Sequence, residues 1–553
     1  MDLELAYSIL EILETMWDVI EQMKKSFAVG NISEFNMLSE DLRHGLTAIR
    51  NISSQNIDED RICRLKDSCT CALISLDDIK KCVSYKPGEV QWKLECELLT
   101  FVEETYRKFF YNKIVRGNPN KKEEFLKCIL KTGTFPKLLQ TERDRVYTCD
   151  LSISVLAYNH LDYSKCCIES ILNNLPRNIT YEIILRNNGS TDETKTYFDS
   201  VPGVHVINLA INRLFPFAAM RAFSGKYSLH ISNDIVIGKN AIENMYRAIS
   251  EHEDYGWVVP ATPAVSNLQA IPAEYHSIEE FRMFAEQNNI YDENAHEMRV
   301  RLCNPVVMIR TDLYNQLYLE MYEQMCCVQN VASFPDDKMS LWMRRNSYKN
   351  ILAKDAYCHH FGSITLKDEI QQQNEQKFYL EGRREFYNAF GVDPWGTGFC
   401  YDAVFLNRVV GEEHGHVEVL GINCGLGSNS LKIKEQIKEY CHNLDTCLSN
   451  ITDDSSFILD LKGISDTAQT VTTIKELKAF LSGQAYQYIV WETPFLLKYK
   501  FKTVLEVCMG ALAPGGKLII KLTEQSREAI IRNFPDREEL GNDWVICQRG
   551  EQI

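Results

Sequence analysis

The stretch Leu151–Tyr158, with the sequence LSISVLAY, decides the fold class of this chain. It is a mostly apolar run that ends at Asn159, a pattern typical of a buried strand. A helical pattern follows at about Ser164–Leu172, and a second strand pattern, Tyr181–Leu185, leads into the sequence RNNGSTD at 186–192. Strands that alternate with helices in this way predict a parallel sheet with helices on its faces, which is an α/β fold.

Two more strand patterns continue the series. They are Val204–Leu209 and Tyr227–Ile231, and the second leads into Ser232-Asn233-Asp234. In open parallel sheets, ligands bind beyond the carboxyl ends of the strands. Asn159, Asn187 and Asp234 stand at such ends, so we expect them to converge on one crevice.

The regions on either side of this α/β pattern suggest two more domains. Ile9, Leu13, Trp17, Ile20 and Met23 recur at helical spacing, which predicts a helical bundle over residues 1–145. The α/β pattern occupies 146–400. A second α/β pattern covers 410–553, after a junction that follows the turn sequence DPWG at 393–396.

Composition and charge exclude several classes of protein. The chain has 553 residues, 45% hydrophobic and 25% charged, as in ordinary globular proteins. Its net charge of -16 argues against nucleic-acid binding through a general basic surface. No apolar run reaches about 18 residues, and the acidic start MDLELAYSIL lacks the pattern of a signal peptide. We therefore expect a cytoplasmic protein whose 19 cysteines are reduced thiols.

The middle region resembles the family 2 glycosyltransferases, which have the GT-A fold. Motifs that resemble those of the family occur in the family's order. They are Ala157-Tyr158-Asn159, the turn Asn187–Asp192, Asn212-Arg213, Ser232-Asn233-Asp234 in place of the DXD motif, Asn304–Arg310, Pro335-Asp336-Asp337 in place of the "ED" motif, and His360–Ser363.

The resemblance implies a nucleotide-sugar donor and a set of residues that bind it. These residues are Ala157, Tyr158, Asn159, Asn187, Asn188, Arg213 and Asn233. Two positions depart from the family pattern, because Asn187 stands in place of an aspartate and Ser232 in place of the first DXD carboxylate. An asparagine can still exchange hydrogen bonds with a base, but it cannot act as an anion. An inactive scaffold therefore stays an alternative.

A divalent metal is expected because a nucleotide diphosphate carries negative charge and this protein is itself acidic. Mn²⁺ and Mg²⁺ bind carboxylates together with substrate phosphates. The resemblance implies Asp234 as the first ligand and His360 as a second. The alternatives are a helix-capping role for Asp234, a structural role for His360, and a ligand role for the neighbouring His359.

The reaction also needs a base that takes a proton from the acceptor hydroxyl. The resemblance places Asp337 in this role, and the adjacent Asp336 raises the pKa of the pair because two close carboxylates repel. The alternative is that both residues cap a helix that begins at Lys338. Arg213, Arg344 and Arg345 are candidates for phosphate contacts, with surface positions as the alternative.

The C-terminal region resembles the class I S-adenosylmethionine methyltransferases, which have a Rossmann-like fold. The resemblance rests on the loop Gly421–Gly427, with the sequence GINCGLG, and on the sequence APGG at 513–516. Gly421 and Asn423 depart from the family loop, and Gln487 stands in place of an aspartate. No clear acidic residue ends the second strand, although Asp445 and Asp453 are near. We favour a degenerate structural or acceptor-docking domain, with S-adenosylmethionine as the less favoured alternative.

Together these features predict a metal-dependent, inverting glycosyltransferase. Among relatives of this layout, resemblance points to transfer of N-acetylglucosamine from UDP-N-acetylglucosamine to Ser/Thr of a protein such as flagellin. The alternatives are a cell-surface or lipid-linked glycan as acceptor, a bifunctional glycosyl- and methyltransferase, and an inactive scaffold. The lack of membrane spans argues against a processive polysaccharide synthase.

Overall fold

A computed structural model describes residues 3–55, 65–116, 118, 120–121, 123, 147–209, 223–320, 334–362, 375–442 and 444–549. The chain forms two compact units, and each is described separately. The first comprises Met1–Val236, Pro305–Pro335 and Ser363–Phe378, and the second comprises Ile237–Asn304, Asp336–Gly362 and Tyr379–Ile553.

The N-terminal region is helical, as predicted. Helix α1 ends just before Gly30 and α2 begins just after Asn31, where the pattern breaks. The apolar positions of α1, including Ile9, Leu13 and Ile20, are buried. The helices are α1 (Leu3–Ala28), α2 (Ile32–Gln55), α3 (Leu65–Tyr85), α4 (Pro87–Trp92) and α5 (Leu99–Phe110), with π-helical turns at Lys93–Leu98 and Tyr111–Val115.

The middle region alternates strands and helices. Its elements are β1 (Cys149–Ala157), α6 (Leu161–Asn173), β2 (Tyr181–Asn187), α7 (Thr194–Ser200), β3 (His205–Asn208), β4 (Gly225–Ser232), β5 (Ile235–Val236), α8 (Ala241–Glu251), β6 (Tyr255–Ala261), α9 (Ile278–Asn288), β7 (His296–Arg299), β8 (Val306–Arg310), α10 (Thr311–Glu320), α11 (Pro335–Arg345), β9 (Lys349–Tyr357), β10 (His359–His360) and α12 (Glu375–Phe390).

The C-terminal region is a second α/β pattern. Its elements are β11 (Val417–Ile422), α13 (Ser428–Cys441), β12 (Thr446–Thr452), α14 (Ile458–Lys462), β13 (Thr467–Thr470), α15 (Ile474–Leu481), β14 (Tyr486–Trp491), α16 (Phe501–Gly510), β15 (Leu512–Lys521), α17 (Glu524–Asn533), β16 (Glu538–Leu540) and β17 (Trp544–Gln548).

In the first unit, β1 lies at the centre of a parallel arrangement. It pairs in parallel with β2 and with β4, β2 pairs in parallel with β3, and β8 runs antiparallel to β4. Consecutive residues of β1, from Leu151 to Val155, are all buried, as expected for a strand covered on both faces. The predicted α/β arrangement of the middle region is confirmed for these strands.

The N-terminal helices pack against the edge strand β3. Trp92 stacks on His205 with ring centroids 4.0 Å apart, and Glu89 bonds the same imidazole at 2.9 Å. Lys93 donates to the Val206 carbonyl at 3.0 Å. These contacts cover an edge whose backbone groups would otherwise be unpaired.

The second unit contains two sets of strands. In one, β9 pairs in parallel with β6 and antiparallel with β7. The other is a seven-stranded sheet in the order β13-β12-β11-β14-β15-β17-β16, parallel except for antiparallel β17. The strand order reverses at β11, so this is a doubly wound α/β sheet. The methyltransferase-like character of this region and the three domain boundaries stay predictions.

Among the described ranges, no helix combines the length and the apolar character that crossing a membrane would require. None of the cysteines within those ranges forms a disulfide.

Candidate functional site

The first group of predicted site residues lies at the carboxyl ends of β1, β2 and β4 in the first unit. Ala157 ends β1 and is fully buried, and Tyr158 and Asn159 follow it. Asn187 ends β2, and Asn233 and Asp234 follow β4. The register of the parallel strands brings these ends to one edge of the sheet, as the sequence predicted.

The turn after β2 braces the loop after β1. Ser190 Oγ accepts the Asn159 N–H at 2.8 Å, and Asn159 Oδ1 accepts the Thr191 N–H at 2.8 Å. The Asn188 N–H donates to the Ala157 carbonyl at 2.8 Å. Asn159 has a φ of 54°, a left-handed conformation that asparagine tolerates better than most residues. The turn after β2 therefore fixes the conformation of the loop after β1, which was predicted to contact the nucleotide.

The Asn187 amide makes internal bonds. Its Oδ1 accepts the Ser190 N–H at 2.9 Å, and its Nδ2 donates to Asn208 Oδ1 at 3.1 Å. The residue is only 3% exposed. Here the asparagine holds the turn, and its contact with a nucleotide base stays a prediction.

Asn233 and Asp234 follow β4 in a tight turn. Asn233 Nδ2 donates to Ser164 Oγ at 2.9 Å and to the Asn159 carbonyl at 3.2 Å, so it ties β4 to helix α6 and to the loop after β1. Asp234 is buried, with 5% of its surface exposed. Arg213, the remaining predicted nucleotide ligand, lies outside the described residues.

The predicted base lies in the second unit, at the start of α11. Asp336 and Asp337 occupy the first turn of this helix, which begins at Pro335 and not at Lys338. Asp337 is buried and pairs with Arg301, whose Nη2 lies 2.7 Å from Oδ1 and 2.8 Å from Oδ2. Asp336 is partly exposed and accepts the Asn304 N–H at 3.4 Å.

The environment of the two carboxyl groups changes their titration. Burial raises the pKa of Asp336 to about 7, and the neighbouring charge of Asp337 adds to this shift. Burial also raises the pKa of Asp337, to about 6, although Arg301 and Lys338 act in the opposite direction. Carboxyl groups with a pKa near neutrality suit general acid–base catalysis.

The two arginines at the end of α11 that were candidates for phosphate contacts pair with an aspartate of the same unit. Arg344 Nη1 lies 3.4 Å from Asp460 Oδ1, and Arg345 bonds the same carboxylate at 2.9 Å and 3.1 Å. Arg344 and Asp460 are almost completely buried, so this is an internal ion pair.

The second unit also contains both candidate metal-binding histidines. The Nδ1 of His360 bonds the Ala264 carbonyl oxygen, and His359 Nδ1 bonds the Tyr275 hydroxyl at 2.7 Å. A carbonyl oxygen can only accept, so Nδ1 of His360 is the donor in this contact. This backbone contact is the usual support of a metal-ligating histidine.

Sequence reasoning missed Arg301, the ion-pair partner of Asp337. It lies outside the motifs of the family resemblance, in a loop after β7. The only signal was the sequence RVRLCNP at 299–305, where two arginines flank a valine.

The position of Asp453 was also missed. The sequence indicated no clear acidic residue at the end of the second C-terminal strand, but β12 ends at Thr452 and Asp453 directly follows it.

Residues 152–301 match the family model described as Glycosyl transferase family 2. The match confirms the predicted family for this domain and, at the level of the domain, the prediction of an enzyme of the glycosyltransferase class. No curated protein matches the chain significantly.

Several solved structures resemble part of the chain. GalNAc-T7 with UDP, GalNAc and Mn²⁺ is 13% identical over 38% of this chain and 44% of its own, with a TM-score of 0.29. Residues 1–349 of S. aureus TarS with UDP-GlcNAc are 17% identical over 38% of this chain and 58% of that one, with a TM-score of 0.28. The mannosyltransferase PcManGT from Pyrobaculum calidifontis with GDP-Man and Mn²⁺ is 15% identical over 39% of this chain and 58% of its own, with a TM-score of 0.27. This chain spans less than two thirds of each, and we base no argument on likenesses of this size.

Proposed function

We propose that the chain is a metal-dependent, inverting glycosyltransferase that moves a sugar from a nucleotide donor to a hydroxyl group. The observation that carries this proposal is the acid pair Asp336–Asp337 with Arg301, in a chain whose residues 152–301 match a glycosyltransferase family. A single carboxylate base suffices for an inverting transfer, because the displacement takes place in one step.

The donor is proposed to bind through the first unit. The loop after β1, the turn after β2 and the turn after β4 place Asn159, Asn188 and Asn233 at one sheet edge, which is where ligands bind in open parallel sheets. UDP-N-acetylglucosamine is the proposed donor, on the basis of the sequence resemblance. Arg213 stays a predicted contact to the diphosphate.

Asp234 and His360 are the proposed ligands of a divalent metal. The buried carboxylate of Asp234 and the buried imidazole of His360 are donor types that Mn²⁺ accepts. When bound, the metal neutralises charge on the diphosphate leaving group. His360 is favoured over His359 because it is buried and its Nδ1 is fixed by a backbone carbonyl.

Asp337 is the proposed general base. Its pKa of about 6 keeps most of it ionised at neutral pH, so it can take the proton of the acceptor hydroxyl as that oxygen attacks. Arg301 holds the carboxylate in place, and Asp336 is the proposed neighbour that tunes the pair. The roles of all these residues follow from chemistry and resemblance together.

The proposed acceptor is a Ser/Thr hydroxyl of a protein such as flagellin, with a cell-surface or lipid-linked glycan as the alternative. The three proposed domains are a helical domain (1–145), the glycosyltransferase domain (146–400) and a methyltransferase-like domain (410–553). The outer two are candidates for acceptor contacts.

The test is release of UDP from UDP-N-acetylglucosamine by the full chain, with and without Mn²⁺ and with purified flagellin or a glycan acceptor. We expect Mn²⁺-dependent turnover that Asp337→Asn and Asp234→Asn abolish. The control is Asp254→Asn, an exposed carboxylate paired with Lys349 that should matter little. Equal turnover by Asp337→Asn contradicts the base assignment, and no turnover with any nucleotide sugar favours an inactive scaffold.

A thermal-shift screen of nucleotide sugars with and without Mn²⁺ identifies the donor. A ligand that binds only the folded state raises the melting temperature. A shift with UDP-sugars that requires Mn²⁺ supports both proposals at once.

A further inference from the structure

The glycine-rich loop Gly421–Gly427 lies where a doubly wound sheet normally binds a cofactor. It follows β11, which has β12 on one side and β14 on the other, so the strand order reverses there. Resemblance implies S-adenosylmethionine at this point. Every residue from Gly421 to Ser430 is buried by the chain itself, which leaves the loop little surface for a cofactor.

Two backbone donors where the loop meets α13 are occupied by the chain itself. The Leu426 N–H donates to the Thr397 carbonyl at 3.1 Å, and the Ser428 N–H donates to the Gly398 carbonyl at 3.1 Å. These N–H groups lie at the start of α13, where a polar ligand would otherwise bind. The segment 397–398 therefore takes the place of a ligand.

The glycines of the loop fit this internal contact. A Cβ on Gly425 would lie 2.1 Å from the Thr397 oxygen, and a Cβ on Gly398 would lie 2.0 Å from the Cys424 oxygen. Both residues have positive φ values, 54° and 73°. Their lack of a side chain lets two stretches of the same backbone touch.

Both carboxylate oxygens of Asp453, the acidic residue after β12, accept hydrogen bonds from the chain itself. Asp453 Oδ1 accepts from Asn423 Nδ2 at 2.8 Å, and Asp453 Oδ2 accepts the Leu496 N–H at 2.7 Å. Asn423 Nδ2 also donates to the Pro494 carbonyl at 2.6 Å. A ribose would need this carboxylate, and the turn at Pro494–Leu496 uses it instead. The residues present do not fit S-adenosylmethionine.

The segment that fills the crevice also contacts the proposed catalytic residues. Arg301 Nη1 donates to the Pro394 carbonyl at 3.3 Å, and its guanidinium lies 5.0 Å from the centre of the Phe399 ring. The same guanidinium holds Asp337. Residues 394–399 thus touch both the glycine-rich loop and the partner of the proposed base.

The other end of α11 is fixed by the same C-terminal region. Asp460, at α14, receives Arg344 and Arg345 from the last turn of α11. A Cβ on Gly463 would lie 2.7 Å from the Arg344 oxygen, so the two backbones are in close contact. The helix that carries the acid pair is therefore held at both ends.

We propose that the C-terminal α/β region binds no nucleoside cofactor and has a structural role instead. The glycine-rich loop contacts residues 397–398, and the segment 394–399 positions Arg301 against Asp337. The inference rests on the proposed function for the role of Asp337. Arg301 and Phe399 are positioning residues in this account.

Calorimetry on the full chain tests the cofactor half. Titration with S-adenosylmethionine, and separately with S-adenosylhomocysteine, should show no binding up to about 1 mM. Saturable binding of either compound with a Kd below about 100 μM overturns the proposal. This result does not depend on glycosyltransferase activity. A chain with no turnover contradicts the proposed function, while calorimetry still decides whether the crevice is closed.

The pH profile tests the positioning half. Asp336, Arg301, Lys338 and Cys303 are the titratable or charged groups that act on the acid pair. Phe399→Leu removes the ring beneath Arg301, so Arg301 should stabilise the charged form of Asp337 less. We expect kcat at pH 6 to fall about fivefold, with kcat at pH 8 and the donor KM near wild type.

The matched control is Phe405→Leu. Phe405 is equally buried but packs on Trp544 instead of Arg301, with centroids 5.0 Å apart. An equal change in both variants, or an unchanged profile in Phe399→Leu, overturns the positioning role. If Phe399→Leu fails to fold, Phe399→Met retains the volume without the ring and should give the same shift.

Discussion

Arg301 and Asp337 form a buried ion pair in which one terminal nitrogen, Nη2, lies within 2.8 Å of both carboxylate oxygens. The two residues are 36 positions apart, on a loop and on the first turn of a helix. A buried charge costs less free energy when it is paired, so Arg301 favours the ionised form of Asp337 and opposes the burial that raises its pKa. The predictions below follow from this pair and from the buried charges near it.

The two adjacent carboxyl groups should differ in their effect on catalysis. Asp337→Asn removes the proposed base, and we expect kcat to fall by about 10²–10⁴. Asp336→Asn keeps that base and should lower kcat by about tenfold or less. Steady-state kinetics of both variants at pH 7.5 checks the assignment. A larger loss in Asp336→Asn would transfer the base role to Asp336.

Loss of the Arg301 charge should move the acid limb of the pH profile. Arg301 opposes the burial that raises the pKa of Asp337, so Arg301→Gln should raise that pKa further. The limb of kcat/KM should then shift from near pH 6 to higher pH. Arg301→Lys retains a charge but lacks the second nitrogen that reaches Pro394, so it should shift the limb less. Identical profiles for wild type and Arg301→Gln would exclude a role of Arg301 in this titration.

Asp336 should reduce the stability of the fold at neutral and high pH. Its pKa is raised from an ordinary value near 4 to about 7, so folding favours the protonated form. The stability that this carboxyl group contributes is present below pH 4 and is lost as pH rises toward 7. Asp336→Asn should therefore raise Tm at pH 8 by roughly 2 °C or more, with no gain at pH 4. Differential scanning calorimetry at the two pH values measures this, and a gain of the same size at both would contradict it.

Glu297 should stabilise the second unit in a way that is lost in acid. Burial alone would raise the pKa of Glu297, but Arg299, Lys432 and Lys354 outweigh it and hold the pKa below its usual range. The contribution is thus full above the unfolded pKa of about 4.3, declines as pH falls below that value, and is lost as pH falls through the lower pKa of the folded state. Glu297→Gln should lose about 3 kcal/mol of unfolding free energy at pH 7, and the difference should shrink at pH 3.5.

Denaturant unfolding at both pH values measures the effect of Glu297→Gln. The matched control is Glu439→Gln, because Glu439 pairs with the same Lys354 at 2.9 Å but is 36% exposed. It should lose less than about 1 kcal/mol at either pH. A loss in Glu297→Gln that does not vary with pH would contradict the electrostatic explanation.

The ion pair at the end of α11 should be essential to folding. Asp460→Asn leaves Arg344 buried with an unbalanced charge, and removal of one partner of such a pair costs about 3–5 kcal/mol. Asp445→Asn, at an exposed carboxylate paired with His416, is the control and should cost about 1 kcal/mol or less. Urea unfolding of the two variants decides between a structural pair and an ordinary surface contact.

Local sequence patterns predicted much of the fold. The strand Val417–Ile422 lies as predicted, and β1 and β2 agree to within two residues at most ends. Such runs are readable because strand burial depends on neighbouring residues in the chain. Helix starts were less well predicted, since α6 begins at Leu161 and not at Ser164. The N–H of its first residue, Leu161, bonds Asp192, which lies 31 residues further on.

The site was only partly predictable. The residues in family order, such as Asn159, Asn233 and Asp337, lie at strand ends or in the first turn of a helix. Arg301 was not predicted, because nothing in its local sequence indicates that the loop after β7 packs against α11. The ion pairs of Arg344 and Arg345 were not predicted either, because their partner Asp460 is more than one hundred residues away in the chain.

The sequence by itself determined the alternation of strands and helices, the placement of polar residues at strand ends, and the family of residues 152–301. These depend on short-range periodicity and on ordered motifs. Only the tertiary structure decided that the glycine-rich loop of the C-terminal region is filled by residues 397–398, and that Asp337 is paired with Arg301. Both facts arise from contacts between segments far apart in the chain, where the path of a loop and the burial of a charge determine which hydrogen bonds can form.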